Sequence, residues 1–275
     1  METRPLRIGL WVWTAIVFVF LWAPLVIMAL YAFNSSNVQS WPIAGLTTKW
    51  FSPTIHNGDM QQALLLSLKA AALATLIALV LGSAASFGVH RFRFFGREMI
   101  SFILVLPIAL PGIITGMALN SYFVFWKFNF GLWTIVIGHA TFCVVVVYNN
   151  VVARLRRVPG SLTEASMDLG ADGIQTFRYV TFPTISTALI SGGLLAFALS
   201  FDEVIVTTFV AGAQNTLPLW IFGAIRTGTN LPEVNAVVVF VLALTIIPVA
   251  VSVRLTGGGG VTRSSVSSAP GTNSG

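Results

Sequence analysis

Apolar runs long enough to cross a bilayer follow one another along most of this chain. Of its 275 residues, 56% are hydrophobic and 9% are charged, which is too apolar for a soluble domain of this length. Within lipid, a helix satisfies its own backbone hydrogen bonds, and about 20 apolar residues span the hydrocarbon core. The sequence therefore predicts an all-α membrane protein with six transmembrane helices, at residues 10–33, 64–89, 100–125, 132–152, 184–210 and 234–255.

Two of these spans carry residues that set how the helices pack or bend. In the second span, Ala78, Gly82 and Ser86 recur at four-residue spacing and form a small-residue face that lets another helix approach closely. In the third span, Pro107 and Pro111 predict a broken or bent helix. Broken backbone at membrane depth is tolerated only beside protein or a water-filled cavity, so this span is expected near a pathway.

The distribution of the basic residues predicts the orientation in the membrane. The formal net charge is +6, but the basic residues cluster at span ends rather than on one face, which excludes a nucleic-acid-binding protein. Most of them precede the first span, follow the second or follow the fourth, and these positions share one side. By the positive-inside rule, both termini of this multi-pass protein are expected in the cytoplasm, together with residues 161–183.

The chain divides into a transmembrane domain and a short tail. The transmembrane domain covers residues 1–256, and within it the apolar piece at 217–225 is expected to dip into the outer membrane surface. The tail at 257–275 is rich in Gly and Ser and lacks large hydrophobic residues. Such a segment cannot bury enough apolar surface to fold, so disorder is predicted there.

No arrangement of residues in the chain predicts catalysis or a bound cofactor. The single cysteine, Cys143, excludes an internal disulfide and is expected to be a small packing residue, and the histidines His56, His90 and His139 lack metal-ligand spacing. The phosphate-binding pattern G-x-x-x-x-G-K-[ST] is absent. We therefore expect no catalytic residue, no metal site and no cofactor on this chain, and energy for any pumping must come from another chain.

Residues 161–183 form the longest mostly polar segment inside this apolar sequence. Ser161 followed by Glu164 predicts a capping box at a helix N-terminus, and Gly170 is expected to end that helix. Asp172 with Gln175 predicts a second cap, opening a short helix that stops near Pro183. The segment is too polar to cross a bilayer and too well capped to be a slack loop.

This segment resembles the EAA loop of permease subunits of ABC importers. The matching positions are Glu164, Ala165, Gly170 and Pro183, while Ser166 replaces the second alanine of the motif. The resemblance implies the type I permease fold of ABC importers, with residues 161–183 as a coupling helix that docks into a groove on a cytoplasmic ATPase. The coupling residues it implies are Glu164, Ala165, Asp168, Gly170, Ala171 and Pro183. The competing interpretation is a helix lying on the membrane surface, but such helices usually carry several Lys or Arg residues.

Asp202 and Glu203 are the most unusual residues outside this segment. They lie roughly 27 Å along the fifth span from its inner end, at 1.5 Å per residue. Ionisable residues at such depth usually face a bundle interior or a cavity, so the pair, beside aromatic residues including Trp220, is a candidate cation-binding part of a substrate pathway. Adjacent residues point about 100° apart, so one of the two is expected to face the pathway. Hydration at the outer interface or pairing with Arg226 is the alternative.

The stretch from 194 to 236, which begins LLAFALSFDEVIV, is similar to the C-terminal part of the spermidine/putrescine permease family of ABC importers, as are YAFNSS at the end of the first span and ALPGIITGMAL from Ala109. This resemblance implies an inner-membrane permease that imports polyamines by alternating access. It also implies a second permease subunit, a dimeric cytoplasmic ATPase that binds ATP-Mg, and an extracytoplasmic substrate-binding protein. Import of another solute (an iron, sulfate, molybdate or phosphonate compound) is the alternative, and a passive channel or scaffold is a further one.

Overall fold

The computed structural model describes residues 4–92 and 94–243. The described part of the chain is helical, with an isolated bridge between Asn34 and Leu46. The chain divides into two compact units, one made of residues 1–54 with 230–275, the other of residues 55–229. Each unit is considered by itself.

The first unit holds helix α1, Arg4–Ala32, and an apolar helix at Leu231–Ala243. The loop after α1 is built around the buried Asn34, whose side-chain oxygen accepts from the amides of Ser36 and Ala44, both at 3.2 Å. The indole of Trp50 donates to the Asn34 carbonyl at 2.8 Å. Asn34 thus holds this loop together, because its side chain bonds to backbone groups that are separated in the loop and would otherwise lack partners.

Short helix α2, Phe51–His56, crosses the boundary between the units. The helices of the second unit follow in chain order: α3 Gly58–Arg91, α4 Arg97–Ala109, α5 Gly112–Phe125, α6 Leu132–Leu155, α7 Ser161–Asp168, α8 Gly173–Thr176, a π-helical turn Phe177–Thr181, α9 Phe182–Phe201, α10 Ile205–Val210 and α11 Leu217–Thr227.

Helices α3, α6 and α9 pack together as the core of the second unit. The small-residue face predicted on α3 is buried there, and a Cβ at Gly82 would lie 2.8 Å from the Val144 carbonyl oxygen of α6. One turn further, the Ser86 hydroxyl lies 3.0 Å from the Tyr148 carbonyl oxygen of α6. The prediction of close helix packing at these residues is confirmed, because nothing larger than glycine fits at the crossing point.

The third span is broken, as its prolines predicted. Helices α4 and α5 meet at 103°, with the break at Leu110 and Pro111. Helix α5 then packs against α10, where a Cβ at Gly116 would lie 2.6 Å from the ring of Phe209. The Asn120 amide also donates to the Phe209 carbonyl at 2.6 Å. The bent pair is therefore fixed by packing at α10.

The fifth span differs from the prediction at both ends. It was expected as one helix to Val210, but α9 ends at Phe201 and α10 starts at Ile205. The Glu203 carboxylate accepts from the Val206 amide at 2.9 Å. It takes the place of the backbone carbonyl that would accept from this amide in a continuous helix. At its N-terminal end, the helix from Asp172 does not stop near Pro183, because the π-helical turn carries it directly into α9. The wider turn accommodates a proline that lacks a backbone donor.

Four described helices are long and apolar enough to cross a membrane, or five if the bent pair counts as one span. The four are Arg4–Ala32, Gly58–Arg91, Leu132–Leu155 and Gly173–Phe201. The second half of the predicted sixth span, and the predicted disordered tail at 257–275, lie outside the described residues. An all-helical membrane protein is therefore established, while the count of six remains a prediction.

Candidate coupling segment and transport site

Helix α7, the first helix of the polar segment 161–183, begins one residue earlier than predicted. Gly160 occupies the N-cap position of α7, and Ser161 is already the first helical residue, with no side-chain cap. The predicted capping box between Ser161 and Glu164 is therefore wrong. The helical backbone of Gly160 (φ −59°, ψ −30°) leaves Ser161 within the first turn. Glu164 still lies in that turn, where its charge suits the helix dipole.

Gly170 ends α7 in the manner the sequence predicts. Its φ is +86°, in the left-handed region that favours glycine. The Gly170 amide donates to the Met167 carbonyl at 2.9 Å, and the Ala171 amide donates to the Ser166 carbonyl at 3.1 Å. This pair of bonds is a Schellman motif, which satisfies the last carbonyls of the helix and fixes the direction of the chain after Asp168.

The second predicted cap is confirmed. The Asp172 carboxylate accepts from the amides of Ile174 and Gln175, both at 2.8 Å, and the Gln175 side chain accepts from the Asp172 amide at 3.0 Å. Helix α8 thus starts at a defined residue. It continues through the π-helical turn into α9, with Pro183 in the first turn of α9, so this part of the segment is continuous with the fifth span.

Side-chain contacts hold the two halves of the segment together. The Ser166 hydroxyl lies 3.1 Å from that of Thr176, which is buried. The ring of Phe177 packs on Phe87 of α3 at a centroid distance of 5.6 Å and on Phe182 of α9 at 6.2 Å. Ser166, a departure from the EAA motif, therefore ties α7 to α8.

The outer surface of the segment is apolar. Leu169 is 90% exposed and Ile174 79% exposed, although both lie in well-ordered turns. Five further large side chains of the segment are exposed to a lesser degree: Leu162, Met167, Phe177, Tyr179 and Phe182. The acidic residues Glu164 and Asp168 are exposed as well. A rigid surface of apolar side chains with acidic neighbours is typical of a protein-docking site.

The acidic pair lies in the break between α9 and α10. Asp202 is exposed at the end of α9 and makes no ion pair with any described residue, Arg226 included. Glu203 is half-buried, and its carboxylate is committed to the Val206 amide. The structure therefore separates the roles of the two acids: Asp202 is open to a ligand, and Glu203 caps α10.

His139 of α6, which sequence reasoning left unassigned, fixes this break. It is 1% exposed, and its Nδ1 lies 2.8 Å from the Ser200 hydroxyl and its Nε2 2.8 Å from the Thr207 hydroxyl. Thr207 donates its one proton to the Glu203 carbonyl at 2.6 Å, so it accepts from Nε2–H, and Nδ1 accepts from Ser200. The chain of hydrogen bonds joins the end of α9 to α10 through one side chain of α6. Neither the GHATFC sequence around His139 nor the later Ser and Thr residues predict this hydrogen-bonded chain.

Trp220, on α11, lines a cavity that does not include the acidic pair. The cavity, of about 490 Å³, is lined by neither Asp202 nor Glu203. Its polar lining residues are Asp59, Gln62, Lys69, Gln214 and Asn215. The expected grouping of Trp220 with the acidic pair is therefore not found, because α11 starts only after a loop that the Ser67 hydroxyl anchors to α3, at 2.8 Å from the Leu217 amide.

Comparison with known proteins identifies the family. Residues 74–257, more than half of the chain, match the family of binding-protein-dependent transport system inner membrane components. The chain belongs to this family. The matched range includes the second half of α3, the whole of α6 and α9, the polar segment 161–183 and the acidic pair.

This inner membrane component has close relatives among known permeases. It is 39% identical over 234 residues to the putrescine transport system permease protein PotI of Escherichia coli strain K12, an alignment that covers 82% of each chain. It is 32% identical over 238 residues to the spermidine/putrescine transport system permease protein PotC of the same strain, with 86% of this chain and 89% of the relative covered.

A solved structure shares the fold of this inner membrane component. One chain in the crystal structure of a bacterial ABC transporter involved in the import of the acidic polysaccharide alginate superposes with a TM-score of 0.64 over 95% of this chain and 99% of its own length. The sequence identity is 16%, so this likeness establishes the fold alone. The all-helical fold expected from the sequence is therefore shared with one chain of an ABC transporter.

Proposed function

We propose that this chain is the permease subunit of an ATP-driven importer of polyamines, acting by alternating access. The observation that carries the proposal is the similarity to PotI and PotC over more than four fifths of the chain. The exposed Asp202 in a break of the fifth span supports it, because a carboxylate at such depth suits a cationic cargo.

Segment 161–183 is the proposed coupling element. An ATPase groove would receive the apolar surface around Leu169 and Ile174, with Glu164, Ala165 and Asp168 at its edge. Gly170 and Ala171 hold the turn between α7 and α8, and Pro183 lies where α8 continues into α9. Movement of the ATPase would therefore be transmitted to the fifth span without a flexible joint.

The proposed assembly contains a second permease subunit, a dimeric ATPase on which ATP-Mg is bound and hydrolysed, and an extracytoplasmic substrate-binding protein. The six-span topology with both termini and segment 161–183 in the cytoplasm belongs to the same proposal. It is supported by the basic residues at the C-terminal ends of α3 and α6 or just after them, including Arg91, Arg154 and Arg157.

Uptake in cells tests the substrate class. Labelled putrescine and spermidine uptake is measured with and without this chain, with unlabelled putrescine, sulfate and ferric iron as competitors. Loss of uptake on deletion, with competition by putrescine alone, is the expected result. Unchanged polyamine uptake on deletion, with loss of sulfate or iron uptake, would reassign the permease to another solute.

A second experiment tests the acids separately. Asp202→Asn is expected to lower uptake because it removes the exposed charge, while Glu203→Gln is expected to retain more activity because its amide oxygen still accepts from the Val206 amide. Both variants should assemble with the ATPase to the same extent as the unaltered protein. Equal uptake by Asp202→Asn and the unaltered protein would remove Asp202 from the pathway.

A further inference from the structure

A polar groove runs between α6 and α9 at the end of the second unit that carries segment 161–183. It encloses about 630 Å³. The lining residues are Asn149, Asn150, Ala153, Arg154, Arg157, Thr187, Ala188 and Ser191, with no acidic side chain among them. Asn149, Thr187 and Ser191 are exposed, and polar side chains within membrane-spanning helices usually face a water-filled path or another chain rather than lipid.

The groove continues the line of the exposed acid along α9. Ser191 and Asp202 are eleven positions apart, so they lie about 20° apart around the helix axis and about 16 Å apart along it. Thr187 is one turn nearer the other end. Asp202 thus lies near one end of this side of α9, the groove with its Ser191 and Thr187 hydroxyls lies toward the other end, and the exposed Leu195 lies between them.

Two arginines close the groove where α6 ends. Arg154 is oriented by its Nε, which donates to the Thr184 carbonyl at 2.9 Å, and its terminal nitrogens stay uncommitted. Arg157 makes no hydrogen bond or ion pair with any described residue. The neighbouring Arg156 is exposed too, but it does not line the groove. The groove thus ends in two positive charges that nothing in the described chain neutralises.

We propose that this groove is the inner half of the substrate pathway and that Arg154 and Arg157 lower the affinity for cationic cargo at its mouth, so that the cargo leaves. The inference rests on the proposed transport of polyamines, whose amino groups are protonated at neutral pH as that of lysine is. An alternating-access importer must bind its cargo less tightly in the inward-open state than in the outward-open state. Attraction at Asp202 and repulsion at the arginines, toward opposite ends of α9, provide that difference.

The test measures inhibition by cargo on the cytoplasmic side. Right-side-out proteoliposomes with the complete importer are loaded with ATP-Mg and increasing unlabelled putrescine, and initial uptake of labelled putrescine from outside is recorded. Arg157→Gln is expected to lower the internal concentration that halves the rate by about fivefold, from Coulomb interaction over several ångströms in a partly aqueous path. Arg157→Glu is expected to lower it further.

Arg156 supplies the matched control, since Arg156→Gln and Arg156→Glu make the same charge changes one residue away and outside the groove. These variants should leave inhibition unchanged. An unchanged inhibition constant in the Arg157 variants, or the same shift in both series, would overturn the release role. Arg157 is changed rather than Arg154 because it supports no described contact whose loss could disturb the fold.

Thiol labelling tests whether the groove is a water-filled pathway, independently of whether the cargo is a polyamine. In a Cys143→Ala background, Ser191→Cys is expected to react with a charged, membrane-impermeant reagent, while Ile190→Cys, which is also exposed but outside the groove, is expected to be protected by lipid. Absence of labelling at position 191 overturns the pathway whatever the solute. Labelling there without putrescine uptake by the unaltered importer would keep the groove as a water path and reject the polyamine proposal together with the release role.

Discussion

His139 shows how one buried side chain can determine the shape of a broken span. Its two ring nitrogens bond to Ser200 and Thr207 on either side of the break, and the Thr207 hydroxyl in turn bonds to the Glu203 carbonyl. Each of these polar groups is satisfied inside the protein, which removes the cost of burying it. The position of Asp202 at the break therefore depends on a residue of another helix.

Thr207→Val is expected to destabilise the protein by about 1–3 kcal/mol, because the His139 Nε2–H loses its acceptor in a buried site. Thr207→Ser keeps the hydroxyl and should retain most of the stability. Thr208→Val is the matched control, since Thr208 is exposed and bonds only within its own helix. The thermal unfolding midpoint of the purified complex reports the effect, and equal midpoints for the Val and Ser variants at 207 would contradict it.

At the scale of elements, two kinds of glycine position determine how the helices are joined. One lets helices touch, as Gly82 does where α3 meets α6. The other ends a helix, as Gly170 does with its φ of +86°. In both cases the absence of a Cβ is the property used, for packing in the first and for backbone conformation in the second.

Gly82→Ala is expected to destabilise the second unit by about 1–3 kcal/mol, because its Cβ would meet the α6 backbone and force the helices apart. Gly88→Ala on the same helix meets nothing within 4 Å and gains up to about 1 kcal/mol of helix propensity. Both substitutions gain the same helix propensity, so the difference between their unfolding midpoints measures the cost of the packing clash at Gly82. A rise in midpoint with Gly82→Ala would show that the two helices can separate at no cost.

Gly170→Pro is expected to abolish transport while leaving the protein inserted in the membrane, because proline cannot adopt a φ of +86° and removes the amide that bonds to Met167. Gly173→Pro is the control: Gly173 is the first residue of α8, where proline is accepted, and Asp172 before it is extended. Uptake and membrane content are measured for both variants. Normal uptake by Gly170→Pro would reject the turn as a coupling element.

At the scale of the whole molecule, the second unit leaves two surfaces uncovered that a lone membrane chain would not retain. Segment 161–183 exposes large apolar side chains on well-capped turns, and the groove between α6 and α9 exposes polar ones. Under our proposals the first surface would meet a protein groove, and the second would meet water and cargo. Such exposure fits a subunit of a larger assembly.

Leu169→Glu combined with Ile174→Glu is expected to reduce co-purification of the ATPase at least tenfold, because two charges would be buried without partners at the docking surface. Glutamate at both Leu194 and Leu195, which are exposed on α9, is expected to disturb membrane insertion instead. The amount of inserted protein is therefore measured for every variant. Leu162→Gln tests the edge of the surface and should weaken binding less. Full ATPase recovery with the double variant in inserted protein would exclude this surface from docking.

The sequence alone determined that the chain is an all-helical membrane protein, that the polar segment turns at Gly170 and Asp172, and which family the chain resembles. Each of these depends on local composition or on short spacings. Small residues at 78, 82 and 86 were likewise sufficient to predict close packing, since a repeat of four residues marks one helix face. These properties require no knowledge of distant contacts.

Tertiary structure decided the rest. The fifth span breaks after Phe201 because His139, far away in sequence, and the Glu203 carboxylate hold the ends of two shorter helices. The helix from Asp172 continues past Pro183 because a π-helical turn accommodates the proline. Trp220 lies apart from the acids because the Ser67 hydroxyl anchors the preceding loop to α3. The contacts of His139 and Ser67 join residues far apart in the sequence, which local sequence does not specify. The Glu203 cap and the π-helical turn are local, but they compete with a regular helix, and the surrounding structure decides that competition.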